Sequence, residues 1–367
     1  MSTFSVVGLM SGSSLDGADL AWCTFQFAED DPAQLLRWTL HRGVTIPYDE
    51  SWQQRLRNAP ELSGRELWLL HTELGLYYGQ ILRTFLDELP EKVDFVASHG
   101  HTVFHYPDQQ TTTQIGDGAA IAGVLNVPVI DQFRTQDMAL GGQGAPLAPL
   151  ADQYFFSRYF ACLNLGGISN ISIKTDRGYV AFDVGGANQV LDAMMQEIGK
   201  DYDENGQLAR TGQLIPVLKK AADALPFHAQ LPPKSLGNDW VREQLLPLFQ
   251  NTEYALEDRL HTYCHHMAGQ IAASLRQVAE NEQLTLTDQQ ELLVAGGGGF
   301  NAFLCECIAA AILPVQLEIA GSDIIAFKEA ALMALAGALR WQQQPNLIPT
   351  VTGARRAAVG GAIHWAG

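Results

Sequence analysis

Residues 5–10 are apolar, the chain then turns polar and rich in Gly and Ser, and residues 18–25 are apolar again. Two short apolar runs about a turn-forming segment read as strand, loop, strand. From Ser63 the period changes. Leu67, Leu70, Leu74, Tyr77, Ile81 and Phe85 recur at helical spacing until Pro90 ends the run. Ser63 with Glu66 three residues on has the form of a capping box, which marks the start of that helix. Residues 93–98 form a further strand, Asp117 can cap a short helix through Leu125, and 127–130 read as another strand.

A Gly- and Pro-rich stretch over 141–149 is where a domain boundary is expected, giving lobes of 1–140 and 141–367. The last segment of the second is expected to pack back on the first. Beyond the boundary, 162–173 repeat the strand, Gly turn, strand pattern. Residues 179–183 form a strand that ends in Asp183-Val-Gly-Gly-Ala-Asn188 and leads into a helix over 189–198. Residues 292–295 run as a strand into four glycines, Asn301 opens a helix, and 323–339 are a helix dense in Ala and Leu. The glycine hairpin thus occurs twice, with strands and helices alternating about both copies. That pattern is α/β. Two similar halves, each giving a glycine hairpin to one cleft, would hold a polyphosphate between them.

Charge narrows the partners. With 23 Lys and Arg against 40 Asp and Glu the formal net charge is −17, a field that repels nucleic acid. An anionic substrate would need local neutralisation. Cys23, Cys162, Cys264, Cys305 and Cys307 fit no disulfide framework and read as reduced core residues of a cytoplasmic protein. No signal peptide and no membrane span are expected.

The glycine loops carry the candidate chemistry. Glycine lets a backbone approach phosphate closely, and successive N–H groups form an anion nest. In the first loop Gly12 and Gly17 supply that freedom, Ser13 and Ser14 supply hydroxyls, and Leu15 and Ala18 complete the turn. Asp16 and Asp19 stand where a carboxylate can hold Mg²⁺ through water, with no protein-built metal cage expected. Gly166 and Gly167 do the same in the second hairpin, and the turn containing Gly297 and Gly298 can approach an adenosine. Neither hairpin is a Walker A sequence, and either alone reads better as an ordinary tight turn; with the Gly296–Gly299 turn the three together favour a nucleotide. Asp183 lies at a strand's carboxyl end, where open α/β sheets bind ligands, and can serve as a base or as a turn-capping carboxylate. Ser98-His-Gly-His-Thr-Val-Phe-His105 resembles a zinc site only in composition; substrate hydrogen bonding or loop structure suits it better. Arg134 and Lys234, in irregular segments, could meet a phosphate or a carboxylate, or be surface cations.

The chain resembles the anhydro-N-acetylmuramic acid kinases of the actin/hexokinase/Hsp70-like superfamily. The likeness runs from Gly8 nearly to Gly367. It is carried by Gly8-Leu-Met-Ser-Gly-Ser-Ser-Leu-Asp-Gly17, Ser98-His-Gly-His-Thr-Val-Phe-His105, Gln114-Ile-Gly-Asp117 and Phe133-Arg-Thr-Gln-Asp-Met-Ala-Leu-Gly-Gly-Gln-Gly-Ala-Pro146. Asn164-Leu-Gly-Gly-Ile-Ser-Asn170, Pro232-Pro-Lys-Ser235, Gly296-Gly-Gly-Gly-Phe-Asn301 and Val351-Thr-Gly-Ala-Arg355 continue it. The resemblance implies two actin-like (ribonuclease-H-like) lobes with an ATP and substrate cleft, a homodimer, and an ATP- and Mg²⁺-dependent reaction on a small anhydro-amino-sugar. Phosphate would be transferred to O6 while water opens the 1,6-anhydro bridge at C1, in cell-wall recycling. The family's catalytic Asp falls on Asp183, its substrate-side Glu on Glu329, and its ATP segment on Gly12 through Asp19. Arg134, His99 and Asn188 are expected on the substrate side.

Departures cluster about the base. The family's Asp-Thr-Gly-Pro-Gly-Asn reads Asp183-Val-Gly-Gly-Ala-Asn188, and Pro-Lys-Ser-Thr-Gly-Arg reads Pro233-Lys-Ser-Leu-Gly-Asn238, which loses a cation. A kinase for another anhydro-sugar such as 1,6-anhydroglucose, and a non-catalytic nucleotide-binding module, therefore stand as alternatives.

Overall fold

The first apolar run becomes β1 (Ser2–Ser11), and the second returns antiparallel to it as β2 (Gly17–Phe27), with Ser2 opposite Phe27 and Ser11 opposite Ala18. A third strand, β3 (Leu35–Pro47), pairs antiparallel with β2. The computed structural model describes residues 1–12, 15–232 and 234–367. Next come β4 (Phe95–Tyr106), parallel to β1, its antiparallel neighbour β5 (Thr111–Ile115), and β6 (Val129–Asp131), parallel to β4. The sheet's far edge is closed by β12 (Ala362–His364), antiparallel to β6.

Alternation along β1 sorts the core of this sheet. Val7 and Leu9 join Leu70, Leu74, Tyr78 and Leu82 of the helix Gly64–Asp87 on one face. Val6 joins Phe25, Phe95 and the Ala- and Leu-rich residues 330–339 on the other. Gly8 shows why the motif needs glycine there. A Cβ would sit 1.8 Å from the carbonyl oxygen of Ala330, so this glycine serves strand–helix packing rather than phosphate approach. The capping box is present: the Ser63 hydroxyl accepts from Glu66 N, and the Glu66 carboxylate accepts from Ser63 N.

The second sheet repeats the order of the first. Strands β7 (Ala161–Leu165), β8 (Ile168–Thr175) and β9 (Gly178–Gly186) form an antiparallel meander. Parallel strands β10 (Glu291–Ala295) and β11 (Gln316–Ile319) follow beside β7. The path β3-β2-β1-β4-β6 thus matches β9-β8-β7-β10-β11, each with a long helix between third and fourth strands. That is the ribonuclease-H-like, actin-type α/β arrangement, present twice. In the second copy the helix Leu256–Asn281 packs Tyr263, Met267 and Ile271 against Leu163, Ile171 and Phe182.

The chain divides into Met1–Phe155 with Ala326–Gly367, and Phe156–Ile325. The division falls after Phe155 rather than at 140, because the helix Ala148–Phe155 buries Leu150 and Ala151 in the first unit's core. Other differences are local. The helix expected over 189–198 runs Asn188–Met195 before tightening into a 3₁₀ turn, and the late helix spans Ser322–Trp341. All five cysteines are free and buried. Among the described residues no helix is long and apolar enough to cross a membrane.

Candidate active site

In the first unit, β1 ends at Ser11, whose hydroxyl is held by Tyr48 OH (2.8 Å) and by His101 Nδ1 (3.1 Å). Tyr48 OH in turn meets Tyr78 OH at 2.8 Å, so the base of the first loop rests on a buried polar chain. Leu15 takes a left-handed φ of 62°, and the Asp16 carbonyl accepts from Tyr48 N. The hydroxyls expected of Ser13 and Ser14 lie outside the described residues. Asp19 is half-buried on β2 and accepts a 2.6 Å bond from Thr45 Oγ1. Burial raises its pKa, the Thr45 bond opposes this, and the charge of Asp16 raises it further. A cation near these two carboxylates would relieve that repulsion, so the pair suits water-bridged Mg²⁺.

The histidine motif does not gather a metal. His101 faces Ser11, and His105 Nδ1 meets Thr112 Oγ1 at 3.2 Å. Among the described residues no group of three or more His, Cys, Asp and Glu side chains could hold one. His99 has a different role. Its Nδ1 donates to Gly100 O (3.0 Å), and its Nε2 accepts from Arg134 Nε (2.9 Å). Burial, and then the charge of Arg134, push its pKa down to about 3, so the ring is neutral. Both nitrogens are occupied. His99 therefore stands behind Arg134 instead of facing a ligand itself.

Arg134 is oriented on its other side by Gly144 O, which accepts from Nη1 at 2.7 Å. The Gly144 turn is fixed in turn by Asp137, whose Oδ2 accepts from Gly144 N (2.7 Å) and whose Oδ1 accepts from Thr352 Oγ1 (2.8 Å). Burial lowers the Arg134 pKa and the nearby Glu329 carboxylate raises it. Glu329 is exposed. The charge of Glu329 is thus felt at Arg134 in the first unit, with no direct ion pair between them among the described residues.

In the second unit three turns meet at the carboxyl ends of β7, β9 and β10. The carbonyls of Gly166 and Gly167 accept from Asn188 N (3.0 Å) and Ala187 N (2.8 Å). Asn188 Nδ2 donates to Leu165 O at 3.0 Å. A Cβ on Gly298 would lie 2.6 Å from that of Leu165 and 2.9 Å from Asn188 Oδ1. At Gly167 a Cβ would meet nothing nearer than the Gln189 Cβ at 3.8 Å, an ordinary contact, so the hairpin tip tolerates a side chain. Asn188 joins these glycine turns into one frame through its Nδ2 and its backbone N.

Asp183 lies on β9, half-buried. Its N donates to Lys234 O (3.1 Å), and its Oδ2 accepts from Leu236 N (3.0 Å). Among the described residues its Oδ1 has no hydrogen-bond partner. Burial raises the Asp183 pKa and the Leu236 bond opposes it. The result is a carboxylate fixed by one oxygen and free at the other, as a general base requires. Lys234 departs from its expected place. It is 9% exposed, and its ammonium meets Phe227 O and His228 O instead of lying free for an anion.

The strand expected to end at Asp183 runs on to Gly186, so the carboxylate stands within β9. These are the parts of a phosphotransferase of the actin type: glycine hairpins, a half-buried carboxylate near a strand's carboxyl end and an oriented arginine. Comparison with known proteins is specific. The family model "Anhydro-N-acetylmuramic acid kinase" matches residues 4–366. Proteins named anhydro-N-acetylmuramic acid kinase from Bacillus cereus (strain AH187) and Bacillus anthracis (strain CDC 684 / NRRL 3495) are each 29% identical, covering 98% of this chain and 99% of theirs. A solved activator of the 2-hydroxyisocaproyl-CoA dehydratase from Clostridium difficile with bound ADPNP is 11% identical, over 92% of this chain and 97% of its own, with a TM-score of 0.39. The chain belongs to the anhydro-N-acetylmuramic acid kinase family, and the activity that goes with membership is phosphoryl transfer from ATP to a sugar.

Proposed function

We propose that this chain phosphorylates 1,6-anhydro-N-acetylmuramic acid at O6 with ATP while water opens the anhydro bridge, giving N-acetylmuramic acid 6-phosphate for cell-wall recycling. The observation that carries this reading is Asp183, held at Oδ2 by Leu236 N and free at Oδ1, in a chain of this family. Oδ1 takes a proton from water as the water oxygen bonds to C1. The C1–O6 bond breaks, and O6 takes the γ-phosphoryl group as ADP leaves. Opening the bridge is an inverting displacement assisted by one base. Phosphoryl transfer asks mainly for position and charge neutralisation.

The nucleotide-binding elements are the glycine turns around Gly166, Gly167, Gly297 and Gly298 in the second unit and the loop from Gly12 to Asp19 in the first. Mg²⁺ bound with ATP neutralises phosphate charge, and Asp16 and Asp19 are the carboxylates that fit it through water. Arg134, set by His99 and Gly144, reads an anionic or hydroxyl group of the sugar, and Glu329 accepts from it. The protein works in the cytoplasm as a homodimer, which sedimentation of the purified protein tests.

One observation favours a second reading. Lys234 points inward and Asn238 replaces a cation, so Arg134 is the group left for the lactyl carboxylate. A substrate without that carboxylate, such as 1,6-anhydroglucose, belongs in the same experiment. ADP release is followed with each sugar and MgATP, and the product is weighed by mass spectrometry. The reading expects turnover with the muramic sugar and a mass gain of one phosphoryl group (HPO3) plus one water. Turnover with anhydroglucose alone supports the second reading. ATP binding without sugar-dependent turnover contradicts both.

A further inference from the structure

Lys234 is a buried cation in a place where the proposed chemistry does not use one. Lysine is ordinarily exposed, and a buried ammonium is stable only where it is hydrogen-bonded. Here Nζ lies 3.4 Å from the carbonyl oxygens of both Phe227 and His228. It also stands 4.8 Å from the Phe227 ring centroid and 5.7 Å from that of Phe182. No carboxylate pairs with it among the described residues. Its ammonium is therefore not the counter-ion of Asp183.

Its main chain, in contrast, meets Asp183 directly. Lys234 O accepts from Asp183 N, and Leu236, two residues on, donates its N–H to Asp183 Oδ2. One side of the residue thus grips the Phe227–His228 turn while its own carbonyl, and the N–H of Leu236 two residues on, hold Asp183. Phe182, the neighbour of Asp183 on β9, lies against the same ammonium. Lys234 is thus a clasp between the Phe227–His228 turn and the backbone at Asp183.

We propose that Lys234 is a positioning residue: its inward ammonium fixes the backbone that selects Oδ2 of Asp183 as the held oxygen and leaves Oδ1 to activate water. This rests on Asp183 being the base. Lys234 does not itself touch substrate, so its loss acts on turnover and not on nucleotide affinity.

The test compares wild type with K234M, K234R and D183N by steady-state kinetics with MgATP and anhydro-N-acetylmuramic acid. Displacing a catalytic group by about an ångström reduces turnover by about 10²-fold. K234M is expected to show a kcat loss of that order with KM for ATP unchanged. K234R, whose guanidinium still donates to both carbonyls, is expected to recover part of it. If K234M does not fold, K234Q is read in its place. Wild-type kcat in K234M or K234Q overturns the proposal, as does a loss confined to the KM for ATP, which would make the ammonium a phosphate ligand. A loss in K234M that K234R does not relieve at all also overturns it. Full activity in D183N would instead remove the base assignment, whatever the Lys234 variants do. An inactive D183N beside an unaffected K234M removes the clasp alone.

Discussion

At the scale of single residues, the glycines fall into two groups with different tests. Gly298 is confined by the protein: an added Cβ would lie 2.6 Å from that of Leu165. Gly167 is not, since its nearest neighbour would be 3.8 Å away. Gly167→Ala should therefore fold with an unchanged Tm and raise KM for ATP, whereas Gly298→Ala should lower Tm as well. Equal KM for ATP in Gly167→Ala and wild type would remove the hairpin tip from the nucleotide site. His99 gives a second test. A hydrogen bond to a charged group contributes about 1.5–3 kcal/mol. His99→Ala leaves Arg134 Nε without its acceptor and should raise the sugar KM by about tenfold or more, leaving KM for ATP near wild type. The sequence identified Arg134 and Asp183 as chemistry-bearing but could not separate His99 from them. Both histidine nitrogens are taken up, by Gly100 O and Arg134 Nε, and neither contact leaves a periodic signal. Lys234 was misjudged for the same reason: a lysine turned inward reads like any other lysine until its carbonyl partners are placed.

At the scale of elements, legibility followed the strength of the pattern. The helix Gly64–Asp87 was readable from its apolar spacing and capping box, both of which are local. Ser63→Ala removes the N-cap acceptor and should lower stability by about 1 kcal/mol in a denaturant titration, with kcat unchanged. Strands β3 and β5 were not readable. β3 is an edge strand with polar groups among its apolar residues and Gly43 within it, and β5 is largely threonine. Edge strands bury little, so their alternation is weak. The glycine hairpins were legible as turns. The convergence of the second-unit turns with Asn188 was not, because it depends on β10, β7 and β9 running parallel in one sheet, with β8 between the last two.

At the scale of the whole molecule, the twofold occurrence of one sheet order was legible as a repeated strand, glycine turn, strand. The return of Ala326–Gly367 to the first unit was expected only in outline, since contiguous sequence carries no sign of a discontinuous unit. That return is secured at β12, where His364 Nε2 meets Asp131 Oδ1 at 2.9 Å. The hydrogen bond and then the charge of Asp131 raise the His364 pKa above its ordinary value, against partial burial. The raised folded pKa means the pair contributes fully below the unfolded value of about 6.5 and fades as pH rises through the folded pKa. His364→Gln should therefore lower Tm at mildly acidic pH and leave it nearly unchanged at alkaline pH. An equal Tm loss at both would show that the contact is one of packing and not of charge.

The account turns on Asp183 as the base that lets water open the anhydro bridge. Its most direct test is the turnover of Asp183→Asn, verified as folded by its Tm, with MgATP and anhydro-N-acetylmuramic acid. A positioned general base accelerates a reaction by about 10²–10⁴-fold, so kcat should fall by that factor with KM for ATP retained. A folded Asp183→Asn enzyme that turns over at the wild-type rate would contradict the account.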